Sequence, residues 1–140
     1  WGPVVDEMGN EGDRAWSILA VATQRPSVDL GAGQVEAVAE RFGGHHGQML
    51  AAALAGLGRF GDPAAFGVDP TPRGRWSQAI VLAAQRRQPA TVALLAATAM
   101  QTPSWKGVPP QHFYQIIRAL RQVGLDHEAR MIAAEAMTRL

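Results

Sequence analysis

The chain of 140 residues contains no cysteine, which excludes a disulfide scaffold, a thiolate metal site and a thiol nucleophile. Lysine is nearly absent as well: of the 13 basic residues, 12 are arginine and Lys106 is the one exception. Aromatic residues make up only 6%, and no segment alternates with period two for long enough to be a strand, which argues against a β-sandwich. No apolar run approaches the roughly 20 residues that a membrane-spanning helix needs. Charged residues are few, at 18%, but 47% of the chain is hydrophobic, the composition of a sequence that forms a core and not of a disordered one. The chain begins at Trp1 without a methionine and shows no leader segment; a processed product or a piece of a longer protein is expected, and the compartment, envelope or cytoplasm, is left open.

What is present in quantity is alanine, at 25 positions, and glycine, at 15. Small residues in such number suit close helix–helix packing. Together with the arginine bias they lead to the expectation of a GC-rich bacterial genome. Laid over one another with an offset of 37, residues 76–100 and 113–137 align without a gap and are identical at seven of 25 positions. The matches fall where packing would place them. An aromatic opens each copy (Trp76, Phe113), isoleucine recurs four residues later (Ile80, Ile117), and each closes on a similar string, Leu94-Leu95-Ala96-Ala97 to Met100 and Met131-Ile132-Ala133-Ala134 to Met137. A weaker copy of that string runs from Met49 to Leu54, separated from the next by a Gly/Pro-rich surplus over 58–75 that reads as an insertion. Self-similarity at such a period is the signature of a helical repeat.

End signals divide the chain into about seven helices, at 13–24, 33–42, 46–57, 74–87, 90–101, 110–123 and 126–139. Pro26 closes the first, Gly43-Gly44 the second and Gly56 to Gly58 the third; Pro89 sits at a helix start and Pro109-Pro110 precede another. Gly124 ends the sixth, and Asp126 is expected to cap the seventh. The small-residue seams Ala96-Ala97-Ala99 and Ala133-Ala134-Ala136 are expected to face neighbouring helices, with Met49, Met100, Met131 and Met137 in the core.

The last unit resembles a tetratricopeptide-type helical hairpin (TPR/Sel1-type). Phe113 starts the first helix, Gly124 followed by Glu128-Ala129 forms the turn, and Ala133 and Ala136 lie on the second helix. The period is 37 where that family has 34, and Ile116-Ile117 replace its Leu-Gly pair. The resemblance implies one all-α domain over 1–140, a right-handed α/α superhelix of helical hairpins, with a groove that holds another protein.

Catalytic and metal signatures fail on spacing. His45 and His46 are adjacent, so on a helix they point about 100° apart and cannot chelate one ion together; they read as solvated turn residues. His127-Glu128 begins like a zinc-protease motif, but its fifth position is Met131 and the second ligand is missing. Gly31-Ala32-Gly33 lacks the third glycine of a dinucleotide fingerprint and has no strand before it. Glu36 and Glu40 are one turn apart and read as a solvated pair beside Arg41, and His112 as a surface residue. The expected protein is therefore not an enzyme and needs no cofactor or metal.

Charge is more informative. Residues 1–69 hold nine acids and four bases; residues 70–125 hold no acid and seven bases, Arg73, Arg75, Arg86, Arg87, Lys106, Arg118 and Arg121. In an array where sequence order is spatial order, this gives an acidic end and a basic middle. Arg73, Arg75, Trp105, Lys106, Tyr114, Arg118 and Arg121 are the expected partner-binding residues, converging in an electropositive patch for an acidic or extended segment of a partner protein. Two readings stand beside it: the same arginines form a solvated face balanced by the acidic N-terminal helices, and Trp105 is a lid over the hydrophobic seam. Nucleic-acid binding through 70–125 is the second function class, weakened by a sequence pI of only 8.6. A structural cap that self-associates, acidic end to basic middle, is the third.

Overall fold

A computed structural model describes residues 10–24 and 32–140. The described residues form seven α-helices and no strand: α1 (Asn10–Ala22), α2 (Ala32–Phe42), α3 (Gly44–Gly56), α4 (Gly74–Gln85), α5 (Pro89–Ala99), α6 (Pro110–Gln122) and α7 (Asp126–Arg139). Two short 3₁₀ turns, Pro63–Phe66 and Trp105–Gly107, lie in the connections. The all-α class and the helix positions agree with the glycine and proline signals; Pro26 and Gly31 lie outside the described residues. None of the described helices is long and apolar enough to cross a membrane.

The helices α4 and α5 pack on each other, as do α6 and α7, and α4 also packs on α6. On α6 the buried side chains Phe113, Ile116, Ile117 and Leu120 follow the i, i+3, i+4, i+7 spacing, and Arg118 and Arg121 lie on the exposed side. Each such side chain taken out of water contributes roughly 1.5–3 kcal/mol. At the centre is α3, which from Met49 to Leu54 is apolar on every side and buried without interruption. It can be so because α1, α2, α6, α7 and the Pro63–Phe66 turn all touch it, α6 most extensively. That approach depends on Gly56: a β-carbon there would lie 2.8 Å from Ile117 Cβ and 3.1 Å from the Tyr114 carbonyl oxygen.

The surplus over 58–75 is packed against α3. Val68 is fully buried, the Phe60 and Phe66 rings meet at 6.1 Å, and Gln48 Nε2 donates to the Phe66 carbonyl at 2.9 Å.

Sequence order is not spatial order here. The first described helix, α1, packs along the last, α7, where a one-dimensional array would keep its ends apart. Arginines join the two. Arg14 donates to the Thr138 and Leu140 carbonyls at the end of α7, and Arg130 donates to the Ala22 carbonyl at the end of α1 at 2.8 Å. Arg59 adds bonds to the Ala20 and Thr23 carbonyls. These guanidinium groups satisfy last-turn carbonyls that no helical N–H reaches and place positive charge at the negative helix ends.

Several local expectations are corrected. Asp126 does not cap α7; it is the first helical residue, and its carboxylate accepts from Arg130 Nε at 2.9 Å. In the α5 seam Ala96 is buried but Ala97 is exposed, and Met131 of α7 is 42% exposed, because the outer sides of these helices have no neighbour. His46 is not a solvated turn residue. Its ring stacks on Phe42 at 3.8 Å, and His45 Nε2 bonds the Trp105 carbonyl at 3.1 Å. His112 is likewise half-buried, its ring 4.7 Å from that of Trp76.

Candidate interaction surface

Three helix ends carry the same turn, in which one residue past the helix adopts a left-handed conformation and two backbone N–H groups fold back on the last carbonyls. After α3 the bonds are Gly58 N to Ala55 O at 3.0 Å and Arg59 N to Leu54 O at 2.8 Å; after α6 they are Gly124 N to Arg121 O at 3.2 Å and Leu125 N to Leu120 O at 2.9 Å. Gly58 and Gly124 have φ of 75° and 87°, the conformation glycine adopts without steric cost. After α4 the bonds are Arg87 N to Ala84 O at 3.1 Å and Gln88 N to Ala83 O at 3.0 Å. Here Arg87 takes the glycine's place, with φ of 53°, the one non-glycine residue with positive φ among those described. A β-carbon in that conformation costs on the order of 1–2 kcal/mol. Arg87 and Gly124 are separated by the repeat offset of 37, so the alignment holds a strained arginine against a relaxed glycine.

The helix that follows, α5, contains no charged residue and is apolar all round. It differs from α3 in its surroundings: its main packing partners among the described residues are α4 and α6. Val92 and Ala96 are buried, whereas Ala90, Ala93, Leu94 and Ala97 are exposed, Leu94 to 68%. These four positions at i, i+3, i+4, i+7 form one apolar stripe. Leu82 on α4 is 43% exposed.

Of the seven cations in the acid-free segment, Arg73 alone forms an ion pair among the described residues. Its Nε donates to Asp69 Oδ2 at 2.8 Å, from an acid one position outside the acid-free stretch. The Asp69 carboxyl is held below its ordinary range by the Thr71 backbone N–H, at 2.9 Å, and by Arg73. Arg75, Arg86, Arg87, Lys106, Arg118 and Arg121 are exposed, with no acidic partner among the described residues.

The seven expected site residues are not brought into one patch by any described contact. Arg73 lines a cavity of about 230 Å³ at the start of α4, together with Ser77, Gln111, His112 and Gln115. Trp105 lines a different, wider cavity of about 390 Å³ with Met100, Val108 and Arg139. Its ring sits edge-on to Phe113 at 5.6 Å and 67°, the placement of a lid on the core. Tyr114 is half-buried against the core, Arg75, Lys106 and Arg118 are exposed, and the Arg121 guanidinium lies over Gly58. The residues that sequence reasoning left out are Arg86 and Arg87; the signal that could have found them was the missing glycine at the turn of the second copy.

Among the described residues no group of three or more histidine, aspartate or glutamate side chains is placed to hold a metal ion. No protein-family model, curated protein or solved structure matches the chain.

Proposed function

We propose that this chain is a non-catalytic protein-interaction module, built on tetratricopeptide-like helical hairpins, that holds an acidic segment of a partner protein. The observation that carries the reading is the surface of the α4–α5 hairpin: an apolar stripe (Ala90, Ala93, Leu94, Ala97) that begins three residues after Arg87, which like Arg86 has no acidic partner among the described residues. An apolar face next to guanidinium groups suits an amphipathic acidic segment, since arginine captures carboxylates in bidentate fashion. Retention of a strained conformation at Arg87 supports it, because strain persists where a side chain is needed.

The charge pattern supports this reading over a face neutralised from within. Asp13 is engaged by Arg41, and Asp69 is the one described acid that pairs with the basic segment. The placement of the aromatic side chains weighs against nucleic-acid binding, which would require aromatics free to stack on bases. Trp76 donates its indole N–H to the Leu95 carbonyl at 2.9 Å, Trp105 packs on Phe113, and Phe113 is fully buried.

The test is affinity capture and crosslinking from the native host, with the wild-type chain and with Arg86→Glu/Arg87→Glu and Arg118→Glu/Arg121→Glu variants. A partner with an acidic segment is expected, lost with the first pair and retained with the second, while the helical circular dichroism is unchanged. Capture that survives the first pair overturns the placement; a low-salt mobility shift with nucleic acid that the first pair abolishes overturns the class of partner.

A further inference from the structure

The cavity at the start of α4 holds more hydrogen-bonding capacity than the fold uses. Ser77 is 4% exposed and lines this cavity, and its hydroxyl has no hydrogen-bond partner among the described residues. Gln115 is 2% exposed; its Nε2 donates to the Pro70 carbonyl at 3.0 Å, which fixes the amide and leaves its oxygen without a described donor. Neither atom is sealed from solvent, so both are open to a ligand that enters the cavity. His112 lines the same space, and burial lowers its pKa, so at neutral pH the ring presents one donor and one acceptor nitrogen. Asp69 and Arg73 complete the rim. The Asp69 carboxylate accepts from Thr71 and from Arg73, and Arg73 uses its Nε, leaving both Nη groups without a described partner.

The lining therefore mixes donors and acceptors with no net charge. A carboxylate ligand would meet Asp69, an ammonium ligand would meet Arg73, and an apolar one would leave Ser77 and Gln115 unsatisfied. A hydroxyl both donates and accepts. We propose that the cavity lined by Ser77, His112, Gln115, Asp69 and Arg73 is a binding site for a small uncharged polyol, a single-ring sugar or cyclitol. Its volume, about 230 Å³, falls short of the roughly 300–1,000 Å³ of pockets for drug-sized ligands and suits one ring. The site is separate from the apolar stripe of α5 and stands whether or not a protein docks there.

The experiment is an NMR titration of the intact chain with glucose and with myo-inositol, followed at the His112 imidazole and the Ser77 amide, with succinate as the anionic control. At least one polyol is expected to shift both reporters saturably, with a dissociation constant on the order of 1 mM. Ser77→Ala is expected to weaken that binding about fivefold or more and to leave the melting temperature unchanged, since the hydroxyl it removes is bonded to nothing in the fold. The inference is overturned if neither polyol gives a saturable shift at about 50 mM, where a millimolar site is filled. It is equally overturned if succinate binds more tightly, if Ser77→Ala binds as well as wild type, or if that substitution lowers the melting temperature.

Discussion

Arg41 holds Asp13 with two nitrogens, Nε to Oδ2 at 2.7 Å and Nη2 to Oδ1 at 2.8 Å, and the pair is lopsided: the Asp13 side chain is 2% exposed and that of Arg41 45%. This joins α1 to α2 across 28 residues. The asymmetry sets an order of effects. Removing Asp13 leaves a guanidinium that is already half-exposed, a charge that is not stranded in the interior. Removing Arg41 leaves a carboxylate buried with no described partner, and a group stranded in that way costs its full desolvation. Arg41→Met is expected to destabilise by about 3 kcal/mol and Asp13→Asn by about 1–2 kcal/mol, read as shifts of the urea midpoint at constant slope. Equal costs would show the pair to be as solvated as an ordinary surface bridge.

Arg87 should be replaceable at a gain. The Gly124 turn shows what its own turn would be without strain, because the two share the same hydrogen bonds. Arg87→Gly is expected to stabilise the chain by about 0.5–1 kcal/mol, the left-handed penalty less the extra chain entropy of glycine. Gly124→Ala, the converse, is expected to cost about 1 kcal/mol. Thermal melts of the two variants check both signs. If Arg87→Gly also abolishes partner capture, the turn exchanges stability for recognition, as functional sites with retained strain do.

The crossing of α3 and α6 is set by a glycine. With its β-carbon 2.8 Å from Ile117 Cβ and facing the Tyr114 backbone, Gly56→Ala must push the two helices apart, since backbone cannot yield as a flexible side chain can. Overpacking of this kind costs about 1–3 kcal/mol. Pairing it with Ile117→Val, which removes one methyl group but keeps the Cβ and a Cγ2, should recover only part of that loss in a double-mutant cycle. Full recovery would show that the contact with Tyr114 backbone carries no weight.

These cases also show what a sequence read alone can deliver here. Helix ends were legible because each depends on one local residue, such as Pro89, Pro110 or Gly124, whose backbone preference acts whatever the rest of the chain does. The α6 face was legible from the spacing of Phe113, Ile116, Ile117 and Leu120. What escaped was set by neighbours far along the chain. An apolar helix reads the same whether five elements surround it, as at α3, or two, as at α5, so the exposure of Leu94 had no local signal. The packing of α1 on α7 rests on Arg14 and Arg130 reaching carbonyls more than 100 residues away, and side-chain type does not encode that reach. At the site, the charge count picked out all seven cations of residues 70–125 and left open whether they were neutralised from within, and the partner of Arg73 lay at Asp69, just beyond the boundary drawn around the acid-free segment.

Stability should decline between pH 6.5 and 5, and histidine should be the cause. In the folded chain the His46 pKa is lowered, first by burial and then by the positive charges of Arg14 and His45, and that of His112 is lowered by burial. The ring nitrogen Nε2 of His46 is buried with no hydrogen-bond partner among the described residues, so the folded state offers an added proton there no acceptor. In the unfolded chain both histidines titrate near the ordinary value of about 6.5. Through that range the unfolded state therefore binds more protons than the folded one, and stability falls as the pH falls. The loss begins near pH 6.5 and continues until the pH passes the folded-state values. Asp69 does not account for this window: its carboxyl is held below the usual carboxylate range, so its contribution is lost only at more acidic pH. Urea midpoints at pH 7.5, 6.5 and 5.0 should descend in that order. His46→Phe, which can keep a ring against Phe42 but carries no proton, should flatten the descent and leave the part due to His112. A descent of unchanged slope in that variant would assign the acid sensitivity to groups other than His46.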